Sequence, residues 1–524
     1  MKARLFFIGI VLTTIACGSP QGERAESKRP NILFVLADDA SYPHMSAYGC
    51  DWIHTPAFDR VAQEGILFNR AYTPNAKCSP SRSCVLTGRN SWKLEEAANH
   101  SPNFPKKFTT YPEALKMSGY HVGYTGKGWA PGNPGTKDGK PRMLTGDYYG
   151  AHKLTPPTPF ISDEDYSANF QAFLEAKPED SPFCFWMGSK EPHRRYEFKS
   201  GIEKGGKSID SITEVPGFWP DVDSVRVDML DYAFEVEYFD NQLEKVLAIL
   251  EEAGELDNTI VVVTSDNGMP FPRVKGSTYE MSNHMPLAIM WKDGIKVANR
   301  KVNDFISFID FAPTFLELAQ VSQKDIIQPT TGKSLVPILH SKEDKEHYPH
   351  RDFVLLGKER HDVGRPNDQG YPVRGIIKND HLFLINFKPE RWPHGNPETG
   401  YLTTDGSPTK TFILNHKNVS GHEKFFQWSF GLRPLEELYN IKDDPFCINN
   451  LIGSEGSDKM ARLLKEALFR KLKEQEDPRV FGKGDIFDNY QYSADEHRGF
   501  YERYLKNGEE IETVWVNESD FEEK

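Results

Sequence analysis

Two acidic pairs carry the clearest chemistry in this chain. Asp38-Asp39 closes the apolar run Ile32 to Leu36, and Asp266-Asn267 closes the run Ile260 to Thr264. Together they offer three carboxylates and one carboxamide oxygen, an all-oxygen set suited to a hard cation such as Ca²⁺ or Mg²⁺. One Asp pair at a strand end is more often a turn or a cap, so the recurrence is what points to a metal. Cys78-Ser79-Pro80-Ser81-Arg82 runs on through Ser83-Cys84-Val85-Leu86-Thr87-Gly88-Arg89. Pro just inside a helix start is ordinary, whereas the full twelve-residue run is rare. His193, in Lys190-Glu191-Pro192-His193-Arg194-Arg195, is a candidate general acid, since imidazole as a side-chain type suits that work. Lys127, in Tyr124-Thr125-Gly126-Lys127-Gly128-Trp129, and Lys275, nine residues after Asp266, add cations. Taken alone, Lys127 would read as a solvated lysine and His193 as structural.

A scaffold must bring these distant segments to one edge. The runs at Ile32 and Ile260, with a third from Phe183 to Met187, have the continuous apolar pattern of strands buried on both faces. Between them Val236, Phe239, Leu243, Val246 and Leu250 recur at helical spacing within Tyr232 to Ala253, and Phe305 to Leu318 reads as another helix. Strands alternating with helices predict an α/β domain with a mostly parallel sheet. Ligands collect at the carboxyl ends of such strands, where both acidic pairs stand. A charged stretch from Ser341 to Arg351 marks a boundary. Beyond it Phe353 to Leu356, Gly375 to Ile377 and His381 to Phe387 predict short antiparallel strands, and about Asp458 to Glu476 a helix. The expected organisation is an export signal at 1–17, a polar tether at 18–29, a catalytic domain at 30–345 and a smaller α+β subdomain at 346–524.

The Cys78–Arg89 run resembles the signature of the type I sulfatases, and the other segments agree from Arg29 to about Phe481. The resemblance implies an alkaline-phosphatase-like core. It further implies that a maturation enzyme oxidises Cys78 to Cα-formylglycine, whose hydrate supplies the nucleophilic oxygen. One Ca²⁺ would be held by Asp38, Asp39, Asp266 and Asn267 with an oxygen of modified Cys78. Arg82 would hydrogen-bond the nucleophile, Lys127 and Lys275 would clamp the sulfate, and His193 would protonate the leaving group. The chain departs from the family at Trp129, which replaces the histidine of Gly-Lys-x-His and could form a sugar-stacking wall. Arg273, His284, Arg360, His361 and Arg374 are further candidate substrate contacts. Leu36-Ala37-Asp38-Asp39, Lys190 to Arg194, Pro270-Phe271-Pro272 and Asp477-Pro478-Arg479-Val480 look closest to the heparan N-sulfatase (sulfamidase) branch, though Lys275 stands where that branch has an arginine. The implied activity is removal of sulfate from the end of a sulfated saccharide, with N-sulfated glucosamine and O-sulfate on another sugar both open.

The whole chain sets outer bounds. Its 524 residues suffice for a large core, and a formal charge of −13 argues against a nucleic-acid partner. Lys2 and Arg4 precede an apolar run from Leu5 to Ile15, too short to span a bilayer and shaped like a signal peptide. Ile15-Ala16-Cys17 resembles a bacterial lipobox, which would place a lipid anchor on Cys17 at the periplasmic or cell surface. Thr14 stands where that pattern prefers Leu, so plain secretory cleavage stays open. Cys50, Cys84, Cys184 and Cys447 show no Cys-x-x-Cys spacing and so no zinc site. Two alternatives remain. One is a phosphatase or phosphodiesterase of the same superfold, which typically uses Ser or Thr and two zinc ions with histidine ligands. The other is a catalytically silent glycan-binding lipoprotein.

Overall fold

The computed structural model describes residues 28–322, 328–343, 347–348 and 350–522. The export signal, Cys17 and all but the last two residues of the tether lie outside these. Among the described residues no helix is long and apolar enough to cross a membrane.

An eight-stranded sheet organises the first lobe. Its strands are β1 (Asn31–Ala37), β2 (Ile66–Phe68), β3 (His121–Gly126), β4 (Asp147–Tyr148), β5 (Phe183–Gly188), β6 (Thr259–Ser265), β7 (Leu287–Met290) and β8 (Arg300–Val302), in the order β8-β2-β7-β6-β1-β5-β3-β4. β1 runs parallel to β5 and β6, and β3 runs parallel to β5, while β7 is antiparallel to β6. All seven residues of β1 and of β6 are buried. Their continuous apolar sequences follow from cover on both faces. Leu36 lies opposite Gly188 on one side and Thr264 on the other. The three central strands therefore end level, and whatever follows them emerges at one edge.

Successive side chains point to opposite layers. Leu33, Val35, Phe185, Val261 and Val263 pack with Val236, Phe239 and Leu243 of the long helix Asp223–Glu252. Ile32, Phe34, Leu36 and Val262 face the other layer, with Leu86, Phe311 and Phe315. Phe34 meets Phe311 edge to face at 5.3 Å. The expected helix from Phe305 to Leu318 is subdivided into a short strand (Ile306–Ser307), a 3-10 turn (Phe308–Asp310) and an α-helix (Phe311–Leu318). The cause is local: the Ser307 N–H donates to Asp310 Oδ2 at 3.1 Å, a capping contact that restarts the chain as a helix. The long helix begins at Asp223, nine residues before the periodic stretch expected at Tyr232.

The second lobe holds a four-stranded antiparallel sheet, β9 (Phe353–Lys358), β10 (Val373–Lys378), β11 (His381–Asn386) and β12 (Glu436–Asn440), in sequential order. Helix Asp458–Glu474 lays Leu464, Leu468 and Leu472 on Leu355, Ile376 and Phe383. Arg374, on β10, ties this sheet to the segment after that helix. Its Nη2 lies 2.7 Å from Glu359 Oε1 and its Nε 2.6 Å from Asp477 Oδ2, all three side chains being buried. Removing one partner of such a buried network leaves charge uncompensated. Arg374→Ala is therefore expected to cost about 3–5 kcal/mol, seen as a lowered apparent Tm. Arg374→Lys should lose less, because it keeps the charge and forfeits only the two-pronged geometry.

Candidate active site

The level strand ends place Asp38-Asp39 beside Asp266-Asn267. The backbone N–H of Asp266 donates to Ala37 O at 3.2 Å, and that of Asp39 to Asp266 Oδ1 at 3.1 Å. Asn267 Nδ2 donates to Asp39 Oδ1 at 2.6 Å, so its carboxamide oxygen points elsewhere. That oxygen is buried and has no hydrogen-bond partner. An orphaned buried acceptor among three carboxylates is the donor chemistry a hard cation takes. The residues fit such an ion. Asp38, Asp39 and Cys78 also present ligand atoms within 4.8 Å of one another.

Cys78 opens the fully buried helix Cys78–Thr87, which stops at Gly88 in a left-handed conformation (φ 66°). Ser81 Oγ docks that helix by donating to Asp266 O at 2.6 Å. Cys78 Sγ lies 3.6 Å from Asp38 Oδ1. Burial pushes its thiol up to about 12, against a smaller opposing pull from Lys127. Arg82, one turn on, donates to Asp266 Oδ2 at 2.8 Å and to Asp38 Oδ1 at 3.3 Å. It also donates to the carbonyls of Lys127 and Gly128, both at 2.7 Å. Its hydrogen bonds thus bind the acidic pairs and the β3 end together, rather than the thiol. Lys127 Nζ reaches both oxygens of Asp38, at 2.9 and 2.6 Å.

Lys275 faces the other aspartate. Its Nζ bridges Asp39 Oδ2 at 2.6 Å and Asp405 Oδ2 at 2.8 Å. Burial works against the ammonium, but Asp39 and then Asp405 hold its pKa well above the usual lysine range. Asp405 was not among the expected site residues. It stands 130 positions after Lys275, in Thr404-Asp405-Gly406, which reads only as a turn. The grouping of Asp39, His193 and Asp405 could resemble a second metal site, yet the Lys275 ammonium already bridges two of its members. The buried cluster thus sets four carboxylates against three permanent cations. Burial pushes Asp266 up to about 7, with Arg82 opposing and Asp38 adding to the rise. A dication would turn the single excess negative charge into a positive one that a monoanionic ligand neutralises.

His193 occupies the rim. Its Nε2 lies 3.9 Å from Asp39 Oδ2 and its Nδ1 2.6 Å from the carbonyl of Arg194. A carbonyl only accepts, so Nδ1 carries the proton and Nε2 is free to exchange one with a ligand. The ring, about one-third exposed, borders a cavity of about 740 Å³ together with Asp405, Phe412, His416 and Trp515.

The remaining candidates are committed elsewhere. Trp129 is buried, its ring edge-on to Phe104 at 5.3 Å and its Nε1 donating to Ser83 Oγ at 2.8 Å. The expected sugar-stacking wall is corrected to a core contact that braces the Cys78 helix. Arg273 stacks on Tyr279 at 4.1 Å and donates to the carbonyls of Trp428 and Cys447. His284 is sandwiched between Tyr42 and Tyr72 at 3.8 and 4.6 Å, with Nδ1 on Glu280. His361 Nε2 meets Asn75 Oδ1 at 2.7 Å, and Arg360 donates to Tyr490 O at 2.6 Å, both side chains being buried. Arg374 holds the second lobe together, as described above. None of these five reaches the acidic cluster or the cavity through a hydrogen bond.

The raised Cys78 thiol yields a direct test. In protein made without maturation, iodoacetamide at pH 8 should leave Cys78 unlabelled in the native state and label it after unfolding, read by peptide mass. Only the thiolate reacts, and a group near pKa 12 is about 10⁻⁴ ionised there. Rapid native labelling would contradict the buried, neutral thiol.

Comparison with known proteins places this geometry. An N-acetylglucosamine-6-O-sulfatase of Bacteroides thetaiotaomicron is 30% identical over 426 residues, covering 63% of this chain and 74% of that protein. A human N-sulphoglucosamine sulphohydrolase is 24% identical over 505 residues, covering 87% and 93%. A solved complex of a protein with its substrate D-glucosamine-2-N,6-O-disulfate superposes with a TM-score of 0.61 at 22% identity, covering 86% of this chain and 99% of that one. Such solved neighbours share the alkaline-phosphatase-like fold. With residues 30–321 matching the family described as Sulfatase, more than half of its length, the chain belongs to the sulfatase family and is a sulfuric ester hydrolase.

Proposed function

We propose that this protein is an exported, formylglycine- and Ca²⁺-dependent sulfatase that removes a terminal sulfate from a sulfated glycan fragment. The observation that carries it is the buried cluster in which Cys78, Arg82, Lys127 and Lys275 surround the two acidic pairs, with the orphaned Asn267 oxygen among them. Asp38, Asp39, Asp266 and Asn267 would hold the Ca²⁺, which when bound supplies charge stabilisation for a sulfate oxygen. Cα-formylglycine made from Cys78 supplies, as its hydrate, the attacking oxygen.

The chain's own residues do the rest. Lys127 and Lys275 set positive charge on either side of the Asp38-Asp39 pair, so that an anion entering between them meets ammonium groups fixed in place. Arg82 keeps the Cys78 helix and the strand ends in one alignment. His193 gives the proton on Nε2 to the departing sugar oxygen or nitrogen, its ring held by the Nδ1 contact to Arg194. Trp129 is a packing residue, so the histidine of the family motif has no counterpart at position 129. The bridge from Lys275 to Asp39 and Asp405 disfavours a two-zinc phosphatase, since an ammonium stands where the second dication's ligands converge.

The glycan class rests on relatives that are named for glucosamine sulfates, one O-linked and one N-linked. The lipid anchor at Cys17, the export signal and a formylglycine-generating partner are parts of the same proposal, resting on sequence pattern. Sulfate release from defined saccharides by protein co-expressed with that maturation enzyme decides the reading. Release from N-sulfated glucosamine supports the sulfamidase form, and release from an O-sulfated sugar the alternative. Silence across the panel with formylglycine confirmed at Cys78 leaves the binding-protein reading standing, and activity in Cys78→Ala would sink the mechanism.

Two outcomes follow. His193→Ala should lower kcat on a sugar sulfate by about 10²–10⁴-fold and affect p-nitrophenyl sulfate far less, because nitrophenolate leaves without a proton. Asp39→Asn should weaken Ca²⁺ binding in calorimetry by more than the about 10–100-fold expected for an outer-sphere partner.

A further inference from the structure

The ring of His193 hangs on a neighbouring carbonyl, with Nδ1 2.6 Å from Arg194 O. Where that carbonyl sits decides whether Nε2 stays turned toward Asp39, 3.9 Å away, or swings out into the cavity. Both residues lie in the irregular segment after β5, on neither strand nor helix. Side chains must therefore fix their place.

Arg194 provides that fixing. Its Nη1 and Nη2 lie 2.7 and 2.8 Å from Oδ1 and Oδ2 of Asp228, a two-pronged pair with both side chains buried. Its Nε donates to Pro270 O at 2.8 Å, and its guanidinium lies over the rings of Phe271 and Tyr196 at 4.3 and 4.6 Å. Pro270 and Phe271 belong to the loop that Asp266-Asn267 opens, so the arginine is registered against one of the acidic pairs. Tyr196 Oη in turn donates to Pro192 O at 2.6 Å, on the other side of His193. Asp228 stands on the long helix Asp223–Glu252 and also accepts from Thr409 Oγ1 at 2.6 Å.

A buried ion pair of this kind gives little net stability, since apolar side chains of similar volume hold a core as well or better. What it supplies is direction. Two parallel N–H···O bonds and a third prong at Nε fix the guanidinium plane, and with it the peptide that carries the Arg194 carbonyl.

We infer that Asp228 is a positioning residue for proton transfer, acting through Arg194 on His193. It holds the carbonyl that keeps the Nδ1 proton, so that Nε2 faces the leaving group. As the sulfuryl group passes to the attacking oxygen, the electron pair of the broken S–O bond stays on the leaving oxygen. That oxygen takes the Nε2 proton, and the imidazolium becomes neutral imidazole with Nδ1–H retained. The inference deepens the sulfatase reading, in which His193 is the general acid, and rests on it.

Two small esters separate the roles in matured full-length protein. Nitrophenolate leaves p-nitrophenyl sulfate without a proton, whereas the more basic phenolate of phenyl sulfate leaves with one. Asp228→Asn keeps the shape of the side chain and forfeits the two-pronged charge pair. It should lower kcat on phenyl sulfate by about 10–100-fold, with KM close to wild type and p-nitrophenyl sulfate affected far less. In a His193→Ala background the same substitution should have almost no further effect on phenyl sulfate, because the residues act as one unit. Should Asp228→Asn fail to fold, the paired change Arg194→Met with Asp228→Leu buries no charge and should give the same split. An equal loss on both esters in a folded variant, or a loss that persists in full without His193, overturns the inference. The reading beneath it is judged separately. Equal loss on both esters in His193→Ala shows that His193 is not the general acid, and no sulfate release from either ester by wild-type protein sinks the sulfatase reading; each removes the inference with it.

Discussion

Burying unlike charges in a fixed ratio is the constraint on which the site depends. Four carboxylates cannot be withdrawn from water at the end of a sheet unless cations accompany them, since each unpaired buried charge costs several kcal/mol. Arg82, Lys127 and Lys275 supply three. They come from a helix start, a strand end and a loop, so each must be correctly placed before the others are satisfied. The incomplete compensation is itself informative. It shows in the lifted Asp266 carboxyl and the orphaned Asn267 oxygen, both at the point where a dication would sit.

The parallel sheet makes that arrangement reachable. Because β1, β5 and β6 end at one level, the chain delivers Asp38-Asp39 and Asp266-Asn267 directly off two strand ends, and His193 five residues after the third, to one edge. Helix Cys78–Thr87 then arrives over the edge, pinned by Ser81 and Arg82 and braced behind by Trp129. A tryptophan at that position exchanges a polar site group for packing, and the indole N–H is satisfied by Ser83 rather than left to a ligand.

Polarity divides the site in two. Its inner side is dry, charged and rigid, suited to holding an anion. Its outer side, beyond the half-buried His193, is open and aromatic and is built largely from the C-terminal lobe. Asp405 joins the halves: it takes one end of Lys275 on the inside, and the residue after it hangs on the Trp515 carbonyl outside. The second lobe is thus more than a buttress, since its tail is linked to Lys275 through the Gly406 and Asp405 contacts.

How much of this was legible in the sequence follows from the range of the forces involved. Local patterning was sufficient for the buried strands at Ile32, Phe183 and Ile260, for the helix running to Glu252, and for the acidic pairs at strand ends, because apolar periodicity and burial are nearest-neighbour properties. The Cys78 run, Lys127, His193 and Lys275 were legible as motifs. The partition of Phe305 to Leu318 was not, since one side-chain cap at Asp310 outweighed a largely apolar composition. Nor was the fate of Trp129, Arg273, His284, Arg360, His361 and Arg374, whose residue types suit a ligand and a buried structural partner equally well. Asp405 and the tail residue Trp515 carry no local signal at all. Their roles arise from contacts across more than a hundred positions of chain, and only the packing of the two lobes brings them to Lys275 and the cavity.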